Sequence, residues 1–306
     1  DSPERCPCVT LLRPRSGDAQ WVCNERYRFD PPLHPTEFVD SFGNLCQRFV
    51  APPGQLRLRA AATVETDDHI AVDWDAPATP VQALPDAALQ FLLQSRYCPA
   101  DTMATRAAQI SAGCAPGYAQ VEAIRAWVHA HLTYRYGVSN EYTSALDTLA
   151  DGAGVCRDFA HVGIALCRSL AIPARMVVGY LHALDPMDLH AWFEAFVGGR
   201  WYTFDATQRH ARGGRIVLAT LMVALVPLVV GVKLAVYTSG LAALCTSGPR
   251  LPPATAMSAP VKSPLASLRV KVTVALWPTS SVLSSTLSAI LGAVVSMVNG
   301  VMGVVV

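Results

Sequence analysis

Acidic residues are absent from the last third of the chain. All 23 Asp and Glu residues lie at or before Asp205, whereas residues 206–306 carry eight Lys and Arg residues and no acid. The two parts of the chain therefore differ in composition and are best interpreted separately. The formal net charge of the whole chain is only +1, which argues against a polyanion, and nucleic acid in particular, as the main partner.

Cysteine is too sparse for a fold held together by disulfides. The chain has nine cysteines in 306 residues, and the odd number leaves at least one thiol unpaired. The cysteines of the first half lack the paired spacing of a zinc site: Cys6, Cys8, Cys23, Cys46, Cys98 and Cys114. No acidic loop has calcium-ligand spacing, and no secretory signal opens the chain. We therefore expect no metal and a cytoplasmic location.

Residues 1–75 predict an N-terminal antiparallel β domain. Between positions 56 and 64, apolar residues alternate with more polar neighbours: Leu56, Leu58, Ala60, Ala62 and Val64. This period of two places one face of a sheet on a core. Turn-forming residues at 40–44 and 51–54 separate neighbouring strands. With 52% hydrophobic residues, the chain can readily bury a core.

The hydrophobic period changes in the middle of the chain. Residues 76–118, which are rich in proline at first, are predicted to form a helical connector. Helical spacing over residues 117–132 then indicates an amphipathic helix that buries Val121, Ile124, Val128 and Leu132. A second helix is expected to begin near Cys156 and to end before Pro173, and residues 176–181 are expected to form a buried strand.

Cys156 follows a glycine-rich turn. Residues 152–158 have the sequence GAGVCRD, so Cys156 lies where that turn becomes a helix. The unpaired N–H groups and the positive end of a helix favour a thiolate there, and the Cys156 N–H could face a developing oxyanion. The alternative interpretation is that Cys156 is a small buried hydrophobic residue, like Cys167 on the same helix.

His190 and Asp205 lie on a predicted hairpin. Two aromatic-rich strands flank a pair of glycines at 198 and 199, which is a strong hairpin signal. With a two-residue loop, His190 lies diagonal to Asp205 on one face, within reach of a side-chain hydrogen bond. Cys156 would then be a nucleophile, His190 its base and Asp205 the residue that orients the imidazole. The alternatives are a structural sheet histidine, or a three-residue loop that points Asp205 away.

Three segments resemble the signature blocks of the transglutaminase-like superfamily: GVCRD at 154–158, HAW at 190–192 and DAT at 205–207. The segments LLRPRS, DSFGN and PPG, which precede them, are similar to the β domain of bacterial transglutaminase-like cysteine proteases. The family often has proline where Ala206 stands. Over residues 1–215 the resemblance implies an α+β fold, with a papain-like core at 119–215 in which the nucleophile helix packs on an antiparallel sheet.

The resemblance also implies a function. It indicates a Cys-His-Asp enzyme that hydrolyses amide bonds or transfers the acyl group to an amine, without an organic cofactor. We therefore expect a thiol-dependent hydrolase or acyltransferase that acts on a protein or peptide through a thioester intermediate. One alternative is a binding or scaffolding module of the same fold without catalytic activity. Another is a protein anchored in the membrane by its C-terminal tail, whose core serves assembly.

Other residues are weaker candidates for the site. Val155, Asp158 and Trp192 are candidate oxyanion or substrate-binding residues, although Asp158 is better explained by the helix N-terminus and Trp192 by a place in the core. His161 and His182 are further candidate proton carriers. A second oxyanion donor could come from the segment before the nucleophile loop, which contains Tyr134, Tyr136 and Asn140.

Residues 216–306 form an apolar, acid-free tail. Its runs at 216–232 and 287–306 are each near the length needed to cross a bilayer. Residues 213–219 and 232–238 could instead be further sheet strands. A frameshifted or disordered extension is our first interpretation of the tail, a pair of membrane spans the second and a regulatory domain the third.

Overall fold

The computed structural model describes residues 5–17 and 19–222 in full. Beyond residue 222 it describes the backbone of three strands, Gly231–Ser239, Ser267–Trp277 and Gly303–Val305. The fold is α+β, as the sequence predicts, and the sheets of three or more strands in the described part are antiparallel.

Five strands form the N-terminal part: β1 (Cys6–Arg13), β2 (Gln20–Asp30), β3 (Thr36–Val39), β4 (Leu45–Ala51) and β5 (Leu56–Thr66). β4 lies between β1 and β3 in one sheet, and β2 pairs with β5 in another. The side chains of β5 alternate as predicted, with the apolar ones buried against β4 and the C-terminal core. Each buried Leu or Val contributes about 1.5–3 kcal/mol.

Along the chain, five α-helices follow the N-terminal strands and precede the core sheet: α1 (Asp86–Leu89), α2 (Ala104–Ile110), α3 (Tyr118–His131), α4 (Ala145–Asp151) and α5 (Cys156–Ser169). α3 buries the predicted face, and α5 begins at Cys156 as predicted. The sequence analysis does not predict α4, although Ser144 caps this helix: its hydroxyl accepts from the Asp147 N–H at 3.4 Å. Such a Ser-x-x-Asp pair is a recognisable helix start.

Two short strands, β6 (Thr133–Tyr134) and β7 (Ala153–Gly154), pair in parallel just before α5. The core sheet then follows: β8 (Ala174–Leu181), β9 (His190–Val197), β10 (Arg200–Phe204) and β11 (Arg215–Leu221), in the order β10-β9-β8-β11. α5 packs closely on this sheet at Gly163, where a Cβ would come within 2.5 Å of the Phe193 ring. The glycine therefore permits the contact that brings the helix to the sheet.

The outer edge of β11 is covered by two side-chain amides of the N-terminal part. Gln20 accepts from the Val217 N–H at 2.7 Å and donates to the Val217 carbonyl at 3.0 Å. Asn44 makes the same pair of bonds with Thr220, at 2.8 Å each. These amides satisfy backbone groups that a neighbouring strand would otherwise pair.

The described part of the tail consists of strands. Residues 216–221 of the first apolar run lie in β11, and a further strand, β12 (Gly231–Ser239), includes the predicted 232–238. β12 pairs with β13 (Ser267–Trp277), which pairs with β5, and with β14 (Gly303–Val305). The rest of the second run, 287–306, lies outside the described residues. No helix in the described part is both long and apolar enough to span a membrane.

Candidate active site

Cys156 is held at the start of α5 by the short parallel ladder. α4 is capped by Gly152, whose φ of +63° lies in the left-handed region that residues other than glycine rarely adopt. The N–H groups of Thr133 and Arg135 then donate to the carbonyls of Gly152 and Gly154, at 2.9 Å each. The chain enters α5 at Cys156 itself, so the thiol lies at the N-terminal end of the helix.

The carboxylate of Asp158 fixes the first turn of α5. Its Oδ2 accepts from the Val155 N–H at 2.8 Å, and its Oδ1 accepts from Nε and Nη2 of Arg157 at 2.9 and 2.7 Å. Asp158 is fully buried, so it caps the helix and does not face a substrate. Because Asp158 occupies the Val155 N–H, that group is unavailable as an oxyanion donor. Gly154 allows this packing, since a Cβ there would lie 2.7 Å from the Asp158 Cβ.

The hairpin of β9 and β10 has the predicted two-residue loop. Val197 pairs with Arg200, and both intervening glycines have positive φ. His190 and Asp205 consequently meet, with 2.7 Å between Nε2 and Oδ2, and each side chain is only 3% exposed. The register that the triad requires is therefore present in the structure.

Cys156 lies beside the imidazole of His190. Burial lowers the pKa of His190, because it disfavours the protonated imidazole. The charge of Asp205 and its hydrogen bond raise this pKa by more than burial lowers it, and the hydrogen bond and charge of Cys156 raise it further. Together these effects raise the pKa of His190 to about 10. Cys167, farther along α5, is fully buried, and burial raises the pKa of its thiol.

Asp205 accepts hydrogen bonds on both oxygens. Oδ2 accepts from His190 and from Nη2 of Arg215, at 3.0 Å, and Oδ1 accepts from the N–H and hydroxyl of Thr207 at 3.0 and 2.7 Å. Burial alone would raise the pKa of Asp205, but His190, and after it Arg215 and Thr207, hold that pKa well below its usual range. Neither Thr207 nor Arg215 is predicted as a site residue, although Thr207 stands in the DAT block.

The other predicted candidates lie in less favourable places. Trp192 is 1% exposed and packs beside Arg215, so it belongs to the core and does not line a cleft. His161 is fully buried, and burial, with Arg157 and Arg168, lowers its pKa to about 3, which leaves it neutral at physiological pH. His182 is exposed in the turn after β8.

Two tyrosines from the predicted segment flank the nucleophile. Tyr134 and Tyr136 are 41% and 45% exposed, and their ring centroids lie 5.4 Å apart. Burial of its hydroxyl and the charge of Cys156 raise the pKa of Tyr134, whereas a hydrogen bond from the Cys156 N–H to that hydroxyl lowers it. The Tyr134 hydroxyl therefore lies next to the N–H that an oxyanion would use. Asn140, the third candidate, accepts from Arg157 through its backbone carbonyl at 3.0 Å.

The side chains of the site have the chemistry of nucleophilic catalysis. A thiol at a helix start contacts an imidazole, and a buried carboxylate holds that imidazole. Within residues 5–17 and 19–222, no three His, Cys, Asp or Glu side chains are grouped to hold a metal ion.

Replacing Asp205 by Asn should lower the pKa of His190. The carboxylate is the main influence that raises this pKa to about 10, so the neutral amide should let the imidazole titrate well below that pH. The pKa can be measured by NMR on histidine-labelled protein, with His190→Gln to assign the resonance. An Asp205→Asn variant whose imidazole still titrates near pH 10 would contradict this assignment.

The chain matches known proteins across this region. Residues 104–206, which include Cys156, His190 and Asp205, match the model of the transglutaminase-like superfamily. The uncharacterized protein ML0607 of Mycobacterium leprae (strain TN) is 31% identical over 209 residues, which cover 64% of this chain and 74% of that protein. The crystal structure of a presumed cysteine protease from Cytophaga hutchinsonii is 35% identical, with a TM-score of 0.67 over 73% of this chain and 78% of the other. The chain therefore belongs to the transglutaminase-like superfamily.

Proposed function

We propose that the protein is a thiol-dependent enzyme that cleaves an amide bond of a peptide or protein and passes the acyl group to water or to a primary amine. The observation that carries the proposal is the contact of Cys156, at the start of α5, with an imidazole that Asp205 holds at 2.7 Å. The membership of the family and the presumed protease activity of the Cytophaga hutchinsonii protein support the same reaction class.

The first half-reaction forms a thioester. The Cys156 thiolate attacks the amide carbonyl carbon, and the carbonyl oxygen takes up the negative charge. The backbone N–H of Cys156 and the adjacent Tyr134 hydroxyl stabilise this oxyanion, which takes the place of the Tyr134 oxygen as the acceptor of that N–H. The imidazolium of His190 then gives its proton to the leaving nitrogen as the C–N bond breaks, and an amine or ammonia departs.

The second half-reaction releases the acyl group. Water or a primary amine attacks the thioester carbonyl while His190, now neutral, accepts a proton from the attacking atom. The C–S bond breaks, the thiolate of Cys156 returns, and His190 is again an imidazolium. Asp205 stays ionised throughout and keeps the imidazole oriented. The identity of the second acceptor decides whether the enzyme is a hydrolase or a transferase.

Mass spectrometry of the wild-type products tests the proposal. A mixture of glutamine-containing peptides is incubated with the enzyme, with and without an excess of a primary amine, and quenched in acid. We expect an acyl adduct on Cys156, acid products in water, and amine-capped products when amine is supplied. Cys23→Ser, which removes an exposed thiol, should behave as the wild type. A peptide mixture left intact by protein whose Cys156 alkylates selectively would favour the silent binding module.

The cysteine content of the chain is the only basis for a proposed location. We propose the cytoplasm, where thiols stay reduced, with membrane attachment through residues 216–306 as the alternative. Fractionation of cells that express the full chain separates the two, because an attached protein sediments with membranes and resists extraction by high salt.

A further inference from the structure

Arg215 is a buried cation behind the proposed triad. It is the first residue of β11 and is only 6% exposed. Its Nη2 donates to Oδ2 of Asp205 at 3.0 Å, and the same oxygen accepts from Nε2 of His190 at 2.7 Å. The guanidinium and the imidazole therefore share one oxygen atom, and the position of the first constrains the direction of the second.

Arg215 is itself held from several sides. Its Nε donates to the carbonyl of Arg212 at 3.0 Å, and its Cζ lies 4.9 Å from the ring centroid of Trp192. Its own carbonyl accepts from the hydroxyl of Thr66, on β5, at 2.8 Å. The guanidinium of Arg215 is thus held in place, and a rotation of the Asp205 carboxylate away from His190 would break its hydrogen bond to Arg215.

Among the side chains of Cys156, His190, Asp205 and Arg215, the charges balance only when Arg215 is counted. In the reactive state the Cys156 thiolate and the Asp205 carboxylate are negative, and the His190 imidazolium is positive. Arg215 supplies the second positive charge, so the buried set is neutral. Without it, one buried negative charge would lack compensation, which is strongly unfavourable, and Asp205 would be driven towards its protonated form. A protonated carboxyl is a poorer acceptor for the imidazole.

We propose that Arg215 is a positioning residue of the reaction: acting through Asp205, it keeps the imidazole of His190 oriented towards Cys156. The kinetic part of this proposal rests on the proposed function. The reactivity of the Cys156 thiol provides a second readout that needs no substrate, so the failure of one idea can be told from the failure of the other.

The test compares Arg215→Met with Arg212→Met. Arg212 is a control from the loop just before β11, because its side chain binds Gln208 at 2.9 Å and the His182 carbonyl at 2.8 Å, not Asp205. For Arg215→Met we expect kcat to fall on the order of 10- to 100-fold, with KM within about two-fold of the wild type. The rate of Cys156 alkylation by iodoacetamide at neutral pH should fall as well. Arg212→Met should keep both rates.

Two further variants separate positioning from folding. Arg215→Lys keeps the charge but not the planar fork, so it should recover part of the loss while staying below the wild type. Arg215→Ala leaves room for a free guanidinium ion, and guanidinium at concentrations below denaturation should restore activity and alkylation, whereas urea should not. For a residue with a purely structural role, any recovery would follow the folded fraction of the protein, whereas for a positioning residue kcat and the alkylation rate recover while the folded fraction stays constant.

Several outcomes would overturn the proposal. Arg215→Met or Arg215→Lys with wild-type kcat and alkylation rate would do so, as would an equal loss in Arg212→Met. If Arg215→Met fails to fold, Arg215→Lys decides, and a wild-type kcat in that variant rejects the role. If the wild type cleaves no amide, the proposed function fails, while the alkylation rates still decide whether Arg215 positions the site.

Discussion

The Cys156→Ala variant is expected to lose amide cleavage and amine transfer almost completely. Removal of the nucleophile of a triad lowers kcat on the order of 10⁵-fold or more, because the covalent route disappears and only binding and the oxyanion donors remain. The substituted side chain is small, and Cys156 is 5% exposed at the end of a helix, so the fold should be preserved. The measurement is the rate of product formation on the peptide mixture, together with the absence of an acyl adduct.

The control for this variant is a second cysteine of the same helix. Cys167→Ala removes an equal number of atoms from a fully buried position on α5. It should cost some stability but keep kcat, because that thiol takes no part in the reaction. Measurable turnover in Cys156→Ala at more than about one hundredth of the wild-type rate would reject Cys156 as the nucleophile.

The His190→Ala variant is expected to have the next largest effect. Loss of the general base and acid should lower kcat on the order of 10⁴-fold, because the thiol loses its proton acceptor and the leaving amine loses its proton donor. The alkylation of Cys156 at neutral pH should fall to the rate of the exposed Cys23. Both rates are measured on the same preparation.

This variant should still fold. Asp205 keeps its bonds to Arg215 and Thr207 when the imidazole is removed, so its buried charge remains compensated. His131→Ala, on the exposed end of α3, is the matched control and should keep both rates. Selective alkylation of Cys156 that persists in His190→Ala would show that the imidazole does not activate the thiol.

Local patterns carry much of this fold. The alternation of β5, the buried face of α3 and the start of α5 at Cys156 depend on residues close together in sequence, and all three are present as predicted. The hairpin register is also local, because two glycines fix the loop length. From that register the meeting of His190 and Asp205 follows, and this pair could be predicted without coordinates.

The surroundings of the pair could not be predicted in the same way. Arg215 reaches Asp205 because β11 returns to the far side of β8, which no periodicity in the sequence specifies. The occupied N–H of Val155, by contrast, could be predicted from the sequence. Asp158 stands three residues after Val155, the helix cap, and an acid at that position is known to accept from the N–H of the cap. The parallel pairing of β6 with β7, which places Tyr134 beside Cys156, also joins distant segments.

The amides of Gln20 and Asn44 have a practical consequence for shortened versions of the protein. A fragment trimmed to residues 104–206 and the strand that follows would retain Cys156, His190 and Asp205 but lose both amides. The free N–H and C=O groups of β11 would then form an open edge that can recruit other chains and seed precipitation. A minimal catalytic unit should therefore include the N-terminal strands, because their two amides keep that edge from pairing with other chains.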